Sequence, residues 1–302
     1  MPELPEVEAA RRGLAATVIG QRIEAVEITS PRSFAVPSRA VGGLLVGHRI
    51  DRVRRRGKLL IVDLDSRAHL LIHLMMTGQL VVVEGGRTLF AGGHPSRSLL
   101  EPMPNQTTRA LLRLDGDLLL YFNDPRKLGR IRLVGSSALA TDPFLCTLGP
   151  EPLEDAFTLA GYRAQLLRHA RAPVKAVILN QSVVAGIGNI YADESLHLAR
   201  LHPACRAGSL TAAQSRRLHA AIRSVLRHGI ECGGTTVAAS RSRPRRATGY
   251  LEHARVFARE GQPCPLCGAP IERLHVAGRT SRICPHCQPA CSPAGAELPR
   301  GS

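Results

Sequence analysis

Cys264-Pro265-Leu266-Cys267, a gap of sixteen residues, then Cys284-Pro285-His286-Cys287 is the pattern that leaves this chain the fewest choices. Two close pairs of thiols make two knuckles, and two facing knuckles supply the four sulfurs of a closed tetrahedral zinc site. Four protein ligands leave the ion no open position, so one structural Zn2+ is expected. A redox dithiol needs only one such pair, which makes it the weaker reading. His286 is a lesser ligand than Cys287, which already has the right spacing, and Cys291 reads as a bystander. Cys146, Cys205 and Cys232 stand singly, a distribution that argues against disulfides.

The 302 residues give room for two domains and a small module. Lys and Arg outnumber Asp and Glu by 40 to 24, a net charge of +16, which fits a polyanionic partner and above all nucleic acid. Aromatic residues make up only 3%, so stacking on aromatic platforms is excluded as the main way of holding bases. No apolar run approaches the ~18 residues of a membrane span and the start is too acidic for a secretion signal, so a cytoplasmic protein with no membrane partner is expected.

Met1-Pro2-Glu3-Leu4-Pro5-Glu6-Val7-Glu8 opens the chain. If Met1 is removed, Pro2 becomes a free secondary amine, a group that titrates near pH ~8 and is partly neutral at physiological pH. Leu4, Val7, Ala10, Leu14 and Val18 then recur at helical spacing, with Pro5 in the first turn and Glu6 and Glu8 near the positive end of the dipole. An amine at a helix start has its pKa lowered, and Glu3 beside it can carry protons for imine chemistry. A capped surface helix has the same spacing, so the pattern alone does not choose between the two.

Alternating segments follow at 22–28, 50–53, 59–64, 70–74, 80–83, 109–114, 118–122 and 131–134, with Asp65-Ser66-Arg67 and Asp115-Gly116 as turns. Many short strands behind one helix predict a β-sandwich. Residues 84–107 read as a long loop, and the pattern lapses from 135 to 155. Helical spacing resumes at about 158–169, 173–181, 190–200 and 211–231, with Thr211 and Gln214 as a capping box and Gly233-Gly234 as the stop. Arg241-Ser242-Arg243-Pro244-Arg245-Arg246 is a basic loop before the cysteines.

Gly186-Ile187-Gly188-Asn189-Ile190-Tyr191 lies between two helices, where close backbone approach and free amides suit a phosphate oxygen. Tight helix packing explains the glycines equally well. Arg52, Arg54, Arg55 and Arg56 read mainly as a solvated cationic face. Lys58 differs, because Leu59-Leu60-Ile61-Val62 follows it and a partly buried stem holds its ammonium in one place. His69 and His73 lie on apolar strands and read as core or rim histidines.

Taken together, Met1 to Glu8, Gly57-Lys58, His73-Leu74-Met75-Met76-Thr77-Gly78, Asp124-Pro125-Arg126, Gly186 to Tyr191, Gly233-Gly234-Thr235-Thr236 and the cysteine module resemble, in content and order, the formamidopyrimidine-DNA glycosylase family. The resemblance spans roughly residues 1–288. It implies an α+β multidomain fold: a β-sandwich catalytic domain with a leading helix at 1–135, a linker at 136–150, a helix-two-turn-helix DNA-binding domain at 151–236, a basic lesion-capping loop at 237–249, a four-cysteine zinc finger at 250–288 and a disordered tail at 289–302. It implies a monomeric bifunctional glycosylase and lyase acting on double-stranded DNA with oxidised or abasic nucleotides. Pro2 would be the nucleophile and Glu3 the proton carrier. Lys58 and Arg279 would assist as catalytic cations, and Glu6 would support the pocket. Met76 would fill the gap left by a flipped base and Arg126 would face the orphaned partner, with Leu128 as wedge. Lys175, Asn189 and Tyr250 would contact DNA.

Three positions depart from the family pattern: Met75 stands where glycine is usual, Leu128 where an aromatic wedge is usual, and residues 237–248 are unusually basic with no aromatic. The resemblance fits the purine branch better than an endonuclease VIII-like branch, because Leu4 rather than glycine follows Glu3. A non-catalytic damage-binding protein is the reading from another class. Affinity for duplex DNA should fall steeply as salt rises, with log K linear in log salt. A flat plot in a filter-binding titration would argue against the phosphate contacts.

Overall fold

The computed structural model describes residues 1–35, 43–95, 98, 101–235, 239–240 and 249–291. The chain divides into two compact units, one of residues 1–148 with 227–252 and the other of 149–226 with 253 onward. Most of the basic loop, 241–248, and all of the expected tail beyond 291 lie outside the described residues.

The first unit begins with α1 (Leu4–Val18). The strands β1 (Ile23–Ile28), β2 (Phe34–Ala35), β3 (Ile50–Arg56), β4 (Leu59–Leu64), β5 (Ala68–His73) and β6 (Gln79–Glu84) follow. They are continued by β7 (Arg87–Gly93), β8 (Thr108–Leu114), β9 (Leu118–Asn123) and β10 (Arg130–Gly135). A two-residue strand, β11 (Ala239–Ser240), returns from late in the chain. They form two sheets, one in the order β1-β8-β9-β6-β7-β11 and one in the order β2-β10-β5-β4-β3. Every pairing is antiparallel except β2 with β10.

Alternation explains the sandwich. Leu60, Val62 and Leu64 of β4 share one buried core with Leu80 and Val82 of β6, Leu112 of β8 and Phe122 of β9. Val7, Ala10, Leu14 and Val18 of α1 join the same core. Burying such a stripe is what makes a fifteen-residue helix stable, since propensity alone leaves it marginal.

The reading of 84–107 as loop needs correction, because it contains β7. Gly85 and Gly86, both with positive φ, make the tight turn that pairs Glu84 with Arg87 and runs the register on to Gln79 and Gly93. Gly92 and Gly93 hid the alternation. Residues 136–150, expected as a linker, contain α2 (Ser136–Ala140) and α3 (Pro143–Thr147). Their Leu139 and Leu145 pack on Leu59, Ile61 and Leu71, the outer face of β4 and β5. That cover explains why β4 is apolar on both faces.

The second unit contains α4 (Leu159–Arg168), α5 (Val174–Leu179), α6 (Asn189–Leu198) and the first part of α7 (Ala212–Glu231), close to the predicted spans. The capping box at the start of α7 is formed in both directions, with Thr211 N donating to Gln214 Oε1 at 2.8 Å and Gln214 N to Thr211 Oγ1 at 3.2 Å. Beyond it, β12 (Glu272–Val276) and β13 (Arg279–Ile283) form a hairpin whose turn, Ala277-Gly278, has positive φ at both residues.

Cys205 and Cys291 form a disulfide with Cα atoms 5.5 Å apart, which corrects both the reading of Cys291 as a bystander and the expectation of no disulfide. The two cysteines are 86 residues apart in sequence, so no spacing rule links them. Gln288 brings them together, accepting from Cys284 N at 3.0 Å and donating to Leu201 O at 2.8 Å.

Gly13 lies in mid-helix, where replacement by alanine ordinarily stabilises by about 1 kcal/mol. Here a Cβ would run into the ring of Phe90, a buried residue of β7. Gly13→Ala should therefore destabilise the protein, by about 1–3 kcal/mol. Thermal unfolding measures it, and a raised Tm would contradict the packing of α1 on β7.

Candidate active site and metal centre

Glu6 organises the start of the chain. It is 2% exposed, and its Oε2 accepts the Glu3 N–H at 2.8 Å while Oε1 accepts the Thr235 N–H at 2.7 Å. Thr235 follows the Gly233-Gly234 stop of α7. A Cβ on Gly234, whose φ is +77°, would lie 2.9 Å from Glu6 Oε1, so only glycine lets the turn approach this closely. Gly234 O in turn accepts the Tyr250 N–H at 2.8 Å. Both ends of the segment expected to cap a lesion are thus fastened beside Pro2 and Glu3, both of which are buried. Tyr250 serves here through its backbone, and its ring is buried with an edge against His228 at 5.7 Å.

Lys58 lies in the turn just before β4, after Gly57, which has positive φ, and is buried. It faces His73. Burial first, and then the Lys58 charge, push the His73 imidazole down to about 4, so the ring is neutral. Its Nδ1 accepts the Met75 N–H at 3.0 Å. His73 is therefore more than a rim residue, because it holds the turn in which Met75 takes a φ of +51° and Met76 reaches solvent. Left-handed backbone costs a side chain about 1–2 kcal/mol, which accounts for the glycine usual there.

A second buried carboxylate ties that turn to the one carrying Arg126. Asp124 Oδ1 accepts from the Thr77 hydroxyl and from Arg126 N at 3.2 Å, and Oδ2 accepts from Gly129 N at 2.5 Å. Arg109 Nε donates to Asp124 O at 2.8 Å. Met76 and Arg126 are both exposed at the rim of this network, with Leu128 half-buried beside them. His94, which sequence reasoning missed, sits on the same side. Burial depresses its pKa, and so do the terminal amine and Arg126, with Asp124 opposing. One imidazole thus feels both the amino terminus and Arg126. A lone histidine in a stretch read as loop gave no signal.

The expected solvated arginine face is in part held down. Arg54 Nε donates to Asp63 at 2.5 Å, Arg55 Nε to Glu8 at 3.3 Å, and Arg56 to Leu148 O at 3.0 Å.

In the second unit, Cys264, Cys267, Cys284 and Cys287 bring their sulfurs within 4.8 Å of one another. The separations of 3.9, 3.4 and 3.5 Å bracket the ~3.8 Å edge of a tetrahedron with Zn–S near ~2.3 Å. Amides already face the sulfurs, Leu266 N to Cys264 at 3.4 Å and Cys287 N to Cys284 at 3.3 Å. These residues fit one structural zinc ion. Arg279 is exposed at the start of β13, between the two knuckles in sequence.

Comparison with known proteins matches the whole of this arrangement. The formamidopyrimidine-DNA glycosylase N-terminal domain matches residues 1–131, the formamidopyrimidine-DNA glycosylase H2TH domain 148–241, and the zinc finger found in FPG and IleRS 261–290. A formamidopyrimidine-DNA glycosylase of Synechococcus elongatus is 42% identical over 300 residues, covering 98% of this chain and 100% of the relative. That of Thermus thermophilus is 43% identical over 290 residues, with 95% and 98% covered. The chain belongs to the formamidopyrimidine-DNA glycosylase family. The crystal structure of the Thermus thermophilus MutM (Fpg) protein superposes with a TM-score of 0.78 at 41% identity, covering 95% of this chain and 98% of that one. A Lactococcus lactis Fpg mutant in complex with Fapy-dG-containing DNA gives 0.83 at 31%, covering 96% and 100%.

In this family member Lys175 is not where a phosphate contact requires it. The resemblance implied an ammonium at the DNA surface, but Lys175 is 0% exposed. Its Nζ donates to Asp193 Oδ1 at 2.6 Å, Thr280 O at 2.8 Å and Ser281 Oγ at 2.7 Å, which uses all three of its hydrogens. The inward face of α5 points it at β13. Asp193 Oδ2 accepts from Arg282 N at 3.1 Å, so the pair grips β13 just after Arg279. Burial pushes the Asp193 carboxyl up to about 6, against the pull of Lys175, and it is ionised at neutral pH. Asn189 opens α6 after a glycine turn that Gln181 holds, accepting from Gly186 N at 2.9 Å and donating to Ile187 O at 2.8 Å. Its own Oδ1 is buried without a hydrogen-bond partner.

Lys175→Met leaves Asp193 buried and unpaired and should cost about 3–5 kcal/mol in denaturant unfolding. Folded Lys175→Met should keep the wild-type slope of log K against log salt for DNA. A slope shallower by about one phosphate would return Lys175 to the DNA surface.

Proposed function

We propose that this protein is a base-excision repair enzyme, a bifunctional DNA glycosylase and apurinic/apyrimidinic-site lyase that removes oxidised purines, 8-oxoguanine and formamidopyrimidines, from double-stranded DNA. The observation that carries the reading is the Glu6 carboxylate, which fastens the Pro2-Glu3 end and the base of the basic loop to one point. A nucleophile held still is what such chemistry needs.

With Met1 removed, the Pro2 nitrogen attacks C1′ of the extruded nucleotide as the bond from C1′ to the base breaks, and the base leaves with the electron pair and takes up a proton. The attached nitrogen then gives up its N–H proton, Glu3 protonates the ring oxygen, the C1′–O bond breaks to open the sugar, and the freed nitrogen lone pair closes an iminium to C1′. That electron sink acidifies C2′, whose proton is lost as the 3′ phosphate departs. A second elimination expels the 5′ phosphate. Lys58, with its stem buried, binds a phosphate near the lesion and assists proton transfer, and Arg279 clamps phosphate from the zinc finger. Met76 enters the gap in the stack, Arg126 faces the orphaned base, and Leu128 wedges without a ring to stack. Asn189 and Tyr250 complete the DNA contacts, whereas Lys175 acts by holding β13. Zinc supplies no step.

On this reading the working modules are 1–135, 151–236 and 250–288, joined by 136–150 and by the loop 237–249. The enzyme acts as a monomer in the cytoplasm, on nucleoid DNA. No helix among the described residues is long and apolar enough to cross a membrane. Protein lacking Met1, incubated with a duplex carrying one abasic site and borohydride, should give a covalent adduct that peptide mapping places on the Pro2 nitrogen. An adduct on Lys58 overturns the assignment of Pro2 as nucleophile, and no adduct favours a non-catalytic binder.

A further inference from the structure

His197, in the last turn of α6, plays no part in the chemistry above, yet it is 0% exposed. Its Nε2 lies 3.5 Å from the Sγ of Cys264, a residue 67 positions away. Its Nδ1 has no hydrogen-bond partner. A buried imidazole with one nitrogen orphaned is held in place by what its other nitrogen does. A zinc-bound sulfur is a thiolate, an acceptor only, so the nitrogen that faces it must carry the hydrogen. That assignment makes Nδ1 the bare lone pair, a buried acceptor that meets no donor.

The need for such a donor follows from charge. Four thiolates around one divalent ion leave a net charge of −2, and Cys264 and Cys284 are both buried. Backbone amides inside the two knuckles answer part of that charge, Leu266 N at Cys264 and Cys287 N at Cys284. These come with the knuckle wherever it folds. His197 comes from outside it. The same helix presents Glu194, whose carboxylate accepts from Arg255 N, Val256 N and Phe257 N at 2.8 to 2.9 Å, and so fixes the stretch of chain that leads into the first knuckle.

We propose that His197 is a positioning residue of the metal centre: its Nε2–H donates to the Cys264 thiolate, and through it α6 holds the zinc and slows its loss. Outer donors of this kind change metal affinity about 10–100-fold. The hydrogen bond has a direct signature. In full-length protein loaded with 113Cd, scalar coupling across N–H···S should give a cadmium-to-proton cross-peak at the His197 Hε2, beside those from the Leu266 and Cys287 amides. Peaks from the amides with none from His197 would refute the proposal, and this measurement needs no variant. His197→Phe keeps the ring volume and removes the donor, and transfer of zinc from the holoprotein to a chromogenic chelator should quicken by about tenfold or more. His197→Gln, which can place an N–H near the same point, should recover most of the retention. Equal loosening in both variants, or none in His197→Phe, would assign the residue to packing alone.

Discussion

One carboxylate, that of Glu6, has one oxygen on the nearby Glu3 amide and the other on the Thr235 amide, 229 positions along the chain. A buried charge persists only where hydrogen bonds replace its water, and these do so while fixing where the chain begins. The remaining features of the first unit are arranged around that end. The apolar stripe of α1 seats it in the sandwich core, Gly13 lets α1 come down on Phe90, and Gly234 lets the turn after α7 reach Glu6. The sandwich is the frame that keeps the Pro2-Glu3 end from moving.

The same device recurs where the exposed residues need aiming. Asp124 joins the Thr77 and Arg126 turns, and neutral His73 accepts the amide of Met75. In the second unit, α6 carries Asp193, Glu194 and His197 along its inner side. They hold β13, the entry to the first knuckle and a zinc sulfur respectively. The carboxylates among them are taken out of water and satisfied by amides, a hydroxyl or one opposite charge, whereas His197 meets a sulfur through one nitrogen only. Groups of this kind specify a single arrangement more than they add stability, because removing one partner leaves the other stranded.

Local patterns made much of this legible. The four cysteines, the period of α1, the strands with clean alternation and the capping box of α7 are short-range features, and each element formed where its residues placed it. What failed was also local in cause. β7 was hidden by glycines that serve a turn and a close contact, and α2 and α3 were too short to establish a period. Lys175 entered as a DNA contact only through the family resemblance. Only the inward direction of α5, set by packing against residues more than a hundred positions on, made it a buried ion-pair partner.

The sequence by itself determined which groups are available: a proline beside carboxylates at the start of a helix, four thiols in two knuckles and a surplus of cations. It could do so because valence, pKa and spacing along a chain are properties of neighbouring residues. Tertiary structure alone decided which of those groups face solvent and which are consumed inside. That choice rests on contacts between distant segments, such as Glu6 with Thr235, Lys175 with Thr280, Cys205 with Cys291 and His197 with Cys264, and no period in the sequence encodes them.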